Sequence, residues 1–231
     1  MDARTLDLLK QASTATISTQ LLSRGLRNTF LHGVKPLTDR RMAGPAFTLR
    51  YIPAREDLDV LSVYQDYDHP QRKAVETVPE GHVLVMDCRG QGRAASAGAI
   101  LAKRLEVRGA GGLVTDGTLR DTPAIETLDL PVYAQGASPL TNLAQHHAVD
   151  INVPIGCAEV AIYPGDILVG DGEGVVCVPQ ELATEVAEAA YEQERLEEWI
   201  AAEIATGKPL RGTYPPDRTT LERYHQQRTS G

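Results

Sequence analysis

The sequence predicts an α/β fold, and three observations support this prediction. His82–Asp87 is a compact apolar run typical of a buried strand, and Gly112–Asp116 is a second short run of the same kind. Between them, Ala94–Val107 has high helix propensity and ends near Gly109. Strand, helix and strand within about 35 residues have the size of a βαβ unit, in which the two strands are parallel.

Helices are expected at both ends of the chain. Residues 2–25 have a helical pattern, with a capping residue near Ser13 and a stop at Gly25. Glu181–Thr206 is rich in Glu and Ala and predicts a long helix that ends at Gly207. We therefore expect one domain over residues 1–207, followed by an extended tail over residues 208–231 that packs on the surface or on a neighbouring subunit.

Further short strands are predicted in the middle of the chain, and Asp171–Gly174 predicts a hairpin turn between the last two of them. The segment from Arg55 to Pro70 is interpreted as a helix or a long loop, and Gln71–Val78 as a short helix. The predicted strands are Ala46–Ile52, Leu130–Gln135, Val149–Val153, Ile167–Gly170 and Val175–Val178.

Composition and charge exclude several classes of protein. Hydrophobic residues make up 42% and charged residues 23% of the chain, which is ordinary for a folded protein. The net charge of −8 disfavours binding to nucleic acid or to a membrane surface. No apolar run approaches the roughly 20 residues of a membrane span. The N-terminus has no signal-like apolar segment, so we expect a cytoplasmic protein.

Three cysteines, Cys88, Cys157 and Cys177, lie far apart in the sequence. Their number and spacing fit a reducing compartment and predict neither a disulfide framework nor a zinc site. Cys88 ends an apolar run beside a glycine-bearing loop. It is either a reactive thiol or, as is more usual for a free cysteine, a small buried hydrophobic residue.

The chemistry is expected where the loops after the two central strands meet. Cys88–Arg93 contains glycines and leads into the predicted helix, whose first backbone N–H groups favour anions. The second loop, Asp116–Asp121, brings Arg120 and Asp121 to the same edge of the sheet. Arginine binds carboxylates in a bidentate manner, and a carboxylate can hold Mg²⁺. This set suits a 2-oxo acid; the alternative is that Asp121 only caps the helix that follows.

Two other patterns are possible sites. Gly90–Ala95 matches the G-x-G-x-x-A pattern of dinucleotide-binding proteins, but the chain lacks the further βαβ repeats of that fold. His146 and His147 could be a metal-binding pair. Since neighbouring residues of a helix do not face one site, a solvated or capping pair is the preferred interpretation.

A family resemblance is carried by five segments, namely Gly98–Leu101, Arg108–Asp121, Leu130–Gly136, Pro164–Asp166 and Asp171–Val176. These segments resemble the RraA-like family, which includes regulators of ribonuclease activity and 4-hydroxy-4-methyl-2-oxoglutarate aldolases that also decarboxylate oxaloacetate. The resemblance spans roughly residues 10 to 205.

The resemblance implies a swivelling β/β/α-type domain that assembles as a homotrimer or hexamer, with sites at the subunit interfaces. Position by position, Gly98, Ala99, Ile100 and Leu101 would bind the substrate carboxylate through backbone amides. Arg120 would bind substrate and stabilise enolate charge, and Asp121 would hold Mg²⁺ or Mn²⁺. The implied activity is a metal-dependent lyase that cleaves a 4-hydroxy-2-oxo acid, or decarboxylates oxaloacetate, through a pyruvate enolate.

Two positions depart from the family pattern. Ala124 stands three residues after Asp121, where aldolase members usually carry an acid, and Glu126 lies two residues further on. Ala99 follows Gly98 where many members have an acidic or amide side chain. These departures bear on substrate and lyase chemistry more than on metal binding. The alternatives are a non-catalytic regulator that binds a ribonuclease or another protein, and a metal-dependent enzyme acting on another sugar-derived acid.

Overall fold

The computed structural model describes residues 1–229. The N-terminal helical region is divided by Ser13, whose side chain accepts a hydrogen bond from the Thr16 N–H and so begins a second helix. The helices are α1 (Ala3–Gln11), α2 (Thr14–Ser23), α3 (Pro70–Thr77), α4 (Ala99–Val107), α5 (Thr122–Ile125), α6 (Ala183–Ala205) and α7 (Arg218–Thr229).

The strands form a large mixed sheet, a small parallel sheet and a separate hairpin. In chain order they are β1 (Lys35–Pro36), β2 (Met42–Pro53), β3 (Val83–Asp87), β4 (Ala95–Ala97), β5 (Gly112–Thr115), β6 (Thr118–Leu119), β7 (Val132–Ala134), β8 (Gly136–Ala137), β9 (His146–Ile151), β10 (Ile155–Cys157), β11 (Val160–Ile162), β12 (Ile167–Gly170) and β13 (Val175–Val178).

The large sheet has the order β1-β7-β5-β3-β2-β12-β13, and β9 also pairs with β2. Strands β2, β3, β5 and β7 are parallel, which confirms the predicted parallel pairing of β3 with β5. The chain passes three times from the large sheet to the small one, since β4, β6 and β8 directly follow β3, β5 and β7. The α/β class, with two sheets layered with helices, is confirmed.

Buried apolar residues cover both faces of the large sheet. Helices α3, α4 and α5 pack over one face, with Leu84, Met86 and Leu113 among the buried residues. The other face and the β10–β11 hairpin enclose a second cluster. Helices α1, α2 and α6 pack on β12 and β13 through a third cluster. The sheet is thus a rigid support for the segments that leave its strands.

One predicted helix begins too early. We expected a helix over Ala94–Val107, but Ala95–Ala97 is strand β4 and α4 begins only at Ala99. Ala95 pairs with Thr118 of β6, and all three residues of β4 are buried. Long-range pairing therefore overrides the helix propensity of the alanines.

The prediction of an extended C-terminal tail is wrong, because the tail contains α7. Asp217 accepts a hydrogen bond from the Thr220 N–H at the start of this helix. Tyr224 of α7 packs against Trp199 of α6, with ring centroids 5.6 Å apart. Within the tail, α7 is therefore a helix that packs on α6, and the domain boundary near residue 207 stays a prediction.

The two other possible sites, Gly90–Ala95 and the pair His146 and His147, have structural roles. Gly90–Ala95 leads into strand β4 and not directly into a helix, as a dinucleotide fingerprint requires. His146 is fully buried in β9 and its Nε2 lies 3.0 Å from the Ala94 carbonyl, so a solvated pair is wrong for it. His147 Nδ1 lies 2.9 Å from Asp59. Over residues 1–229, no helix is both long and apolar enough to cross a membrane.

Candidate functional site

A cavity of about 220 Å³ lies where the start of α4 meets the segment that leaves β6. Four of the predicted substrate-binding residues line it, namely Gly98, Ile100, Leu101 and Arg120, together with the predicted metal ligand Asp121. The fifth predicted binding residue, Ala99, packs against the hydrophobic core. The structure therefore brings together groups that are up to 23 positions apart in the sequence.

The first turn of α4 presents free backbone donors to this cavity. Gly98 is the N-cap residue with extended φ and ψ of −132° and −178°, and no side chain caps the helix. The first hydrogen bond of the helix runs from the Ala102 N–H to the Gly98 carbonyl. The N–H groups of the three residues between them have no helical acceptor, an arrangement that favours anions.

Arg120 and Asp121 follow directly from strand β6. The Arg120 N–H donates to the Ala97 carbonyl at 3.1 Å, which fixes this segment beside the end of β4. The Arg120 Nε lies 3.3 Å from Asp121 Oδ2, and their side chains are 44% and 50% exposed. A cation and a carboxylate are thus adjacent and both reach solvent at the cavity.

The alternative role of Asp121, as a helix cap, is not supported. Asp121 stands at the N-cap of α5, but its side chain accepts no capping hydrogen bond. Its backbone has φ of +59° and ψ of 33°, a left-handed conformation that is uncommon outside glycine. Such conformations are concentrated at functional sites. The carboxylate is therefore available to the cavity.

Gly98 permits the close approach of these groups. A Cβ atom at this position would lie 2.8 Å from Asp121 Oδ2 and 3.0 Å from Arg120 Cγ. Any larger residue would push the carboxylate or the arginine away from the helix start. The glycine is needed here for space, since its φ is one that any residue adopts.

The cavity offers a divalent cation a single carboxylate ligand. Asp121 is the one carboxylate among the residues that line the cavity, and Ala124 and Glu126 are exposed outside it. In the described part of the chain, no three His, Cys, Asp or Glu side chains converge as metal ligands. Mg²⁺ commonly uses one or two carboxylates together with water and substrate oxygens. Asp121 fits a cation shared in this way, and does not fit an all-protein cage.

The predicted meeting of the two loops is confirmed, but with a structural role. Asp116 is buried and accepts hydrogen bonds from the N–H groups of Cys88, Gly90 and Ala158, at 2.6, 2.8 and 3.1 Å. The pKa of Asp116 is raised above its ordinary value, because the effect of burial is larger than the lowering effect of these three donors. The first loop, Cys88–Arg93, is therefore anchored to the residue that follows β5, and this loop does not line the cavity.

Of the two roles considered for Cys88, the structure supports that of a small buried hydrophobic residue. Burial raises the pKa of its thiol to about 12, so the thiol is protonated at neutral pH. Cys157 and Cys177 are also buried free thiols. A nucleophilic role for these cysteines has no support in this environment, because the thiolate is the reactive form.

The rest of the cavity wall is not predicted from the sequence. It is formed by Tyr64, Gln71, Arg72, Thr141 and Asn142, and the Tyr64 hydroxyl contacts both Thr141 and Asn142. One signal is present in the sequence, because the polar residue Gln71 lies on the same face of α3 as the apolar residues Ala74 and Val75. All three residues are buried in the structure. No local pattern marked the other four residues.

Comparison with known proteins places the chain in a family. The sequence matches the RraA-like family, described as Aldolase/RraA, over residues 14–177. A protein of Halalkalibacterium halodurans, provisionally named a 4-hydroxy-4-methyl-2-oxoglutarate aldolase, is 34% identical over 152 residues, or 64% of this chain and 64% of the relative. Protein DlpA of Legionella pneumophila is 27% identical over 206 residues, or 89% of this chain and 32% of the relative. The chain thus spans less than two thirds of the length of either relative.

Solved structures show the same fold. An uncharacterized protein from Pseudomonas syringae superposes with a TM-score of 0.79 and 27% identity, covering 93% of this chain and 98% of that one. Streptomyces coelicolor RraAS2, described as an unusual member of the RNase ES inhibitor RraA family, gives a TM-score of 0.76 and 29% identity, covering 86% and 96%. With the sequence match over most of its length, these comparisons show that the chain belongs to the RraA-like family.

Proposed function

We propose that the chain is a divalent-metal-dependent lyase that acts on a 2-oxo acid. The observation that carries this proposal is the convergence of the open start of α4, Arg120 and Asp121 on one small cavity. Helix N–H groups and a guanidinium together bind the carboxylate and keto oxygens of a 2-oxo acid. The names of aldolase relatives agree with this substrate class.

The residues have separate roles in the proposed reaction. The N–H groups of Ala99, Ile100 and Leu101 hold the substrate carboxylate, although the Ala99 side chain faces the core. Arg120 orients the 2-oxo group and stabilises negative charge that develops on its oxygen. Asp121 would hold Mg²⁺ or Mn²⁺, which supplies Lewis-acid stabilisation of the same oxygen when bound.

Retro-aldol cleavage and oxaloacetate decarboxylation share one intermediate. In both reactions the bond between C3 and C4 breaks, and its electron pair passes into the 2-oxo group as the pyruvate enolate. In the retro-aldol reaction the C4 hydroxyl group loses its proton and becomes the carbonyl group of the released fragment, and in the decarboxylation the C4 carboxylate leaves as CO₂. Protonation of C3 then yields pyruvate. One site that stabilises the enolate therefore serves both reactions.

The experiment measures pyruvate release from oxaloacetate by the purified protein with Mn²⁺, with and without a chelator. The rate is corrected for decarboxylation by the metal alone. We expect turnover well above that background, and its loss on chelation. Background-level turnover by the folded protein in the presence of metal would contradict the proposal.

A second candidate is a regulator that binds a ribonuclease or another protein. It is favoured by the likeness to RraAS2 and by the net charge of −8, which suits a basic partner surface. Partner binding should then persist in the Arg120→Ala variant and after chelation. Loss of binding in either condition would argue against a role independent of the cavity.

We also infer assembly into a homotrimer or hexamer. Ile100, on the first turn of α4, is 83% exposed although it lies at the cavity. A large apolar side chain at this place suits coverage by a second copy of the chain. Such coverage would also exclude water from the cavity.

A further inference from the structure

We propose that Arg72 and Asn142 form a second anion-binding subsite, which selects 2-oxo acids that carry a distal carboxylate. This inference rests on the proposed function, because it names the other end of the same substrate. Both residues line the cavity that contains Arg120, but they come from different parts of the chain. Arg72 belongs to α3, and Asn142 lies in a short 3₁₀ helix before β9.

Arg72 is a cation without an anionic partner. The residue is half-buried, its Nε is buried and makes no hydrogen bond, and within residues 1–229 its side chain forms no ion pair. Its guanidinium carbon lies 5.4 Å from the centre of the Tyr64 ring. This cation–π contact takes up none of the N–H groups as hydrogen-bond donors to an anion, so the guanidinium group can still bind a carboxylate.

Asn142 supplies a second unused donor on the same wall. Its side chain is 5% exposed, and its Oδ1 accepts a hydrogen bond from the Tyr64 hydroxyl at 2.7 Å. Its Nδ2 is buried and has no partner in the described structure. Tyr64 also contacts the Thr141 hydroxyl, so the ring that supports Arg72 is held in place.

Two buried donors on one cavity wall indicate a missing acceptor. Buried polar atoms in proteins are nearly always hydrogen-bonded, and the Nε of half-buried Arg72 and the Nδ2 of Asn142 are two such atoms without a partner. An acceptor that satisfies both donors and neutralises Arg72 is an anion, and a carboxylate matches the guanidinium fork. With the first carboxylate bound at α4, this second one makes the ligand a dicarboxylic 2-oxo acid.

The test compares two unreactive ligands of equal chain length. 2-Oxoglutarate has a distal carboxylate, and 2-oxovalerate ends in a methyl group at the same position. Their dissociation constants are measured by calorimetry on the full-length protein with Mg²⁺. We expect the wild type to bind 2-oxoglutarate at least about tenfold more tightly, which corresponds to about 1.4 kcal/mol.

Arg72→Met keeps the apolar stem and removes the charge, so it should abolish this preference and leave the affinity for 2-oxovalerate unchanged. Lys73→Met is the matched control, because Lys73 is exposed on the same helix and lies outside the cavity. It should behave as the wild type. Arg72→Lys, which keeps the charge but loses the fork, should retain part of the preference.

Equal binding of the two ligands by the wild type would overturn this subsite and leave the proposed function standing. A preference that survives in Arg72→Met would also overturn it. Failure of the folded wild type to bind either ligand would overturn both proposals. If Arg72→Met does not fold, the wild-type comparison and Arg72→Lys decide the question.

Discussion

Asp116 joins two loops through one carboxylate. Its Oδ1 accepts from the Cys88 N–H, and its Oδ2 accepts from the N–H groups of Gly90 and Ala158. Backbone donors in such loops have no partner in a strand or helix, so the side chain replaces regular pairing. Asp116 is therefore a support for the ends of β3 and β5.

The Asp116→Asn variant tests this role. An asparagine has one acceptor oxygen, so its NH₂ group must face at least one backbone donor. Each buried donor left unsatisfied costs roughly 1–3 kcal/mol, and we expect the free energy of unfolding to fall by about 3 kcal/mol. Urea denaturation followed by circular dichroism measures the change.

Asp129→Asn is the control for this substitution. Asp129 is exposed and pairs with Arg40 at the surface, where ion pairs contribute about 0–1 kcal/mol. An equal loss of stability in the two variants would show that Asp116 has no special structural role.

At the scale of single elements, the start of α4 depends on Gly98. The N–H groups of the first turn, Arg120 and Asp121 converge only because no Cβ atom stands between them. The local sequence does not predict that Gly98 is required, since its backbone has an ordinary extended conformation that any residue could adopt. It follows from the pairing of β4 with β6, which brings the two segments together.

The Gly98→Ala variant should lose activity without loss of stability. The new methyl group would displace Asp121 or Arg120, and a misplacement of about 1 Å can reduce a rate about a hundredfold. We expect a decrease of that order in kcat/KM for pyruvate release, with nearly unchanged Tm.

Gly156→Ala is the matched control for Gly98→Ala, because a Cβ atom at Gly156 would meet no atom within 4 Å. This variant should retain the activity of the wild type. Full activity of Gly98→Ala would contradict the account of the close approach.

Elements governed by local chemistry were predictable from the sequence. The turn Asp171–Gly174 was predicted correctly, since β12 and β13 pair on either side of it. The boundary of α2 at Ser13 follows from side-chain capping. Strand β4 was missed because its partners lie more than twenty residues away, and alanine favours a helix when those partners are ignored.

At the scale of the whole molecule, the candidate site was predictable in part. The half of the cavity around Gly98 and Arg120 follows from a continuous motif and its family resemblance. The half that contains Arg72 and Asn142 is assembled from distant segments by the sheet. No spacing rule connects these segments, so three-dimensional structure was needed to find them.

The proposed assembly is tested by light scattering coupled to size-exclusion chromatography. We expect a mass of three or six times the 25.0 kDa chain. Exposed apolar residues near the cavity, such as Ile100, provide the physical reason for association. A mass of a single chain at all protein concentrations would contradict the prediction.

The most direct test of the central claim compares Asp121→Asn with Glu126→Gln in pyruvate release from oxaloacetate. Both variants remove one negative charge from neighbouring exposed carboxylates, but only Asp121 lines the cavity. We expect Asp121→Asn to lose at least about a hundredfold of the chelator-sensitive rate, the scale of one electrostatic catalytic group. Glu126→Gln should keep the wild-type rate. Unchanged turnover in folded Asp121→Asn would contradict the account of this site.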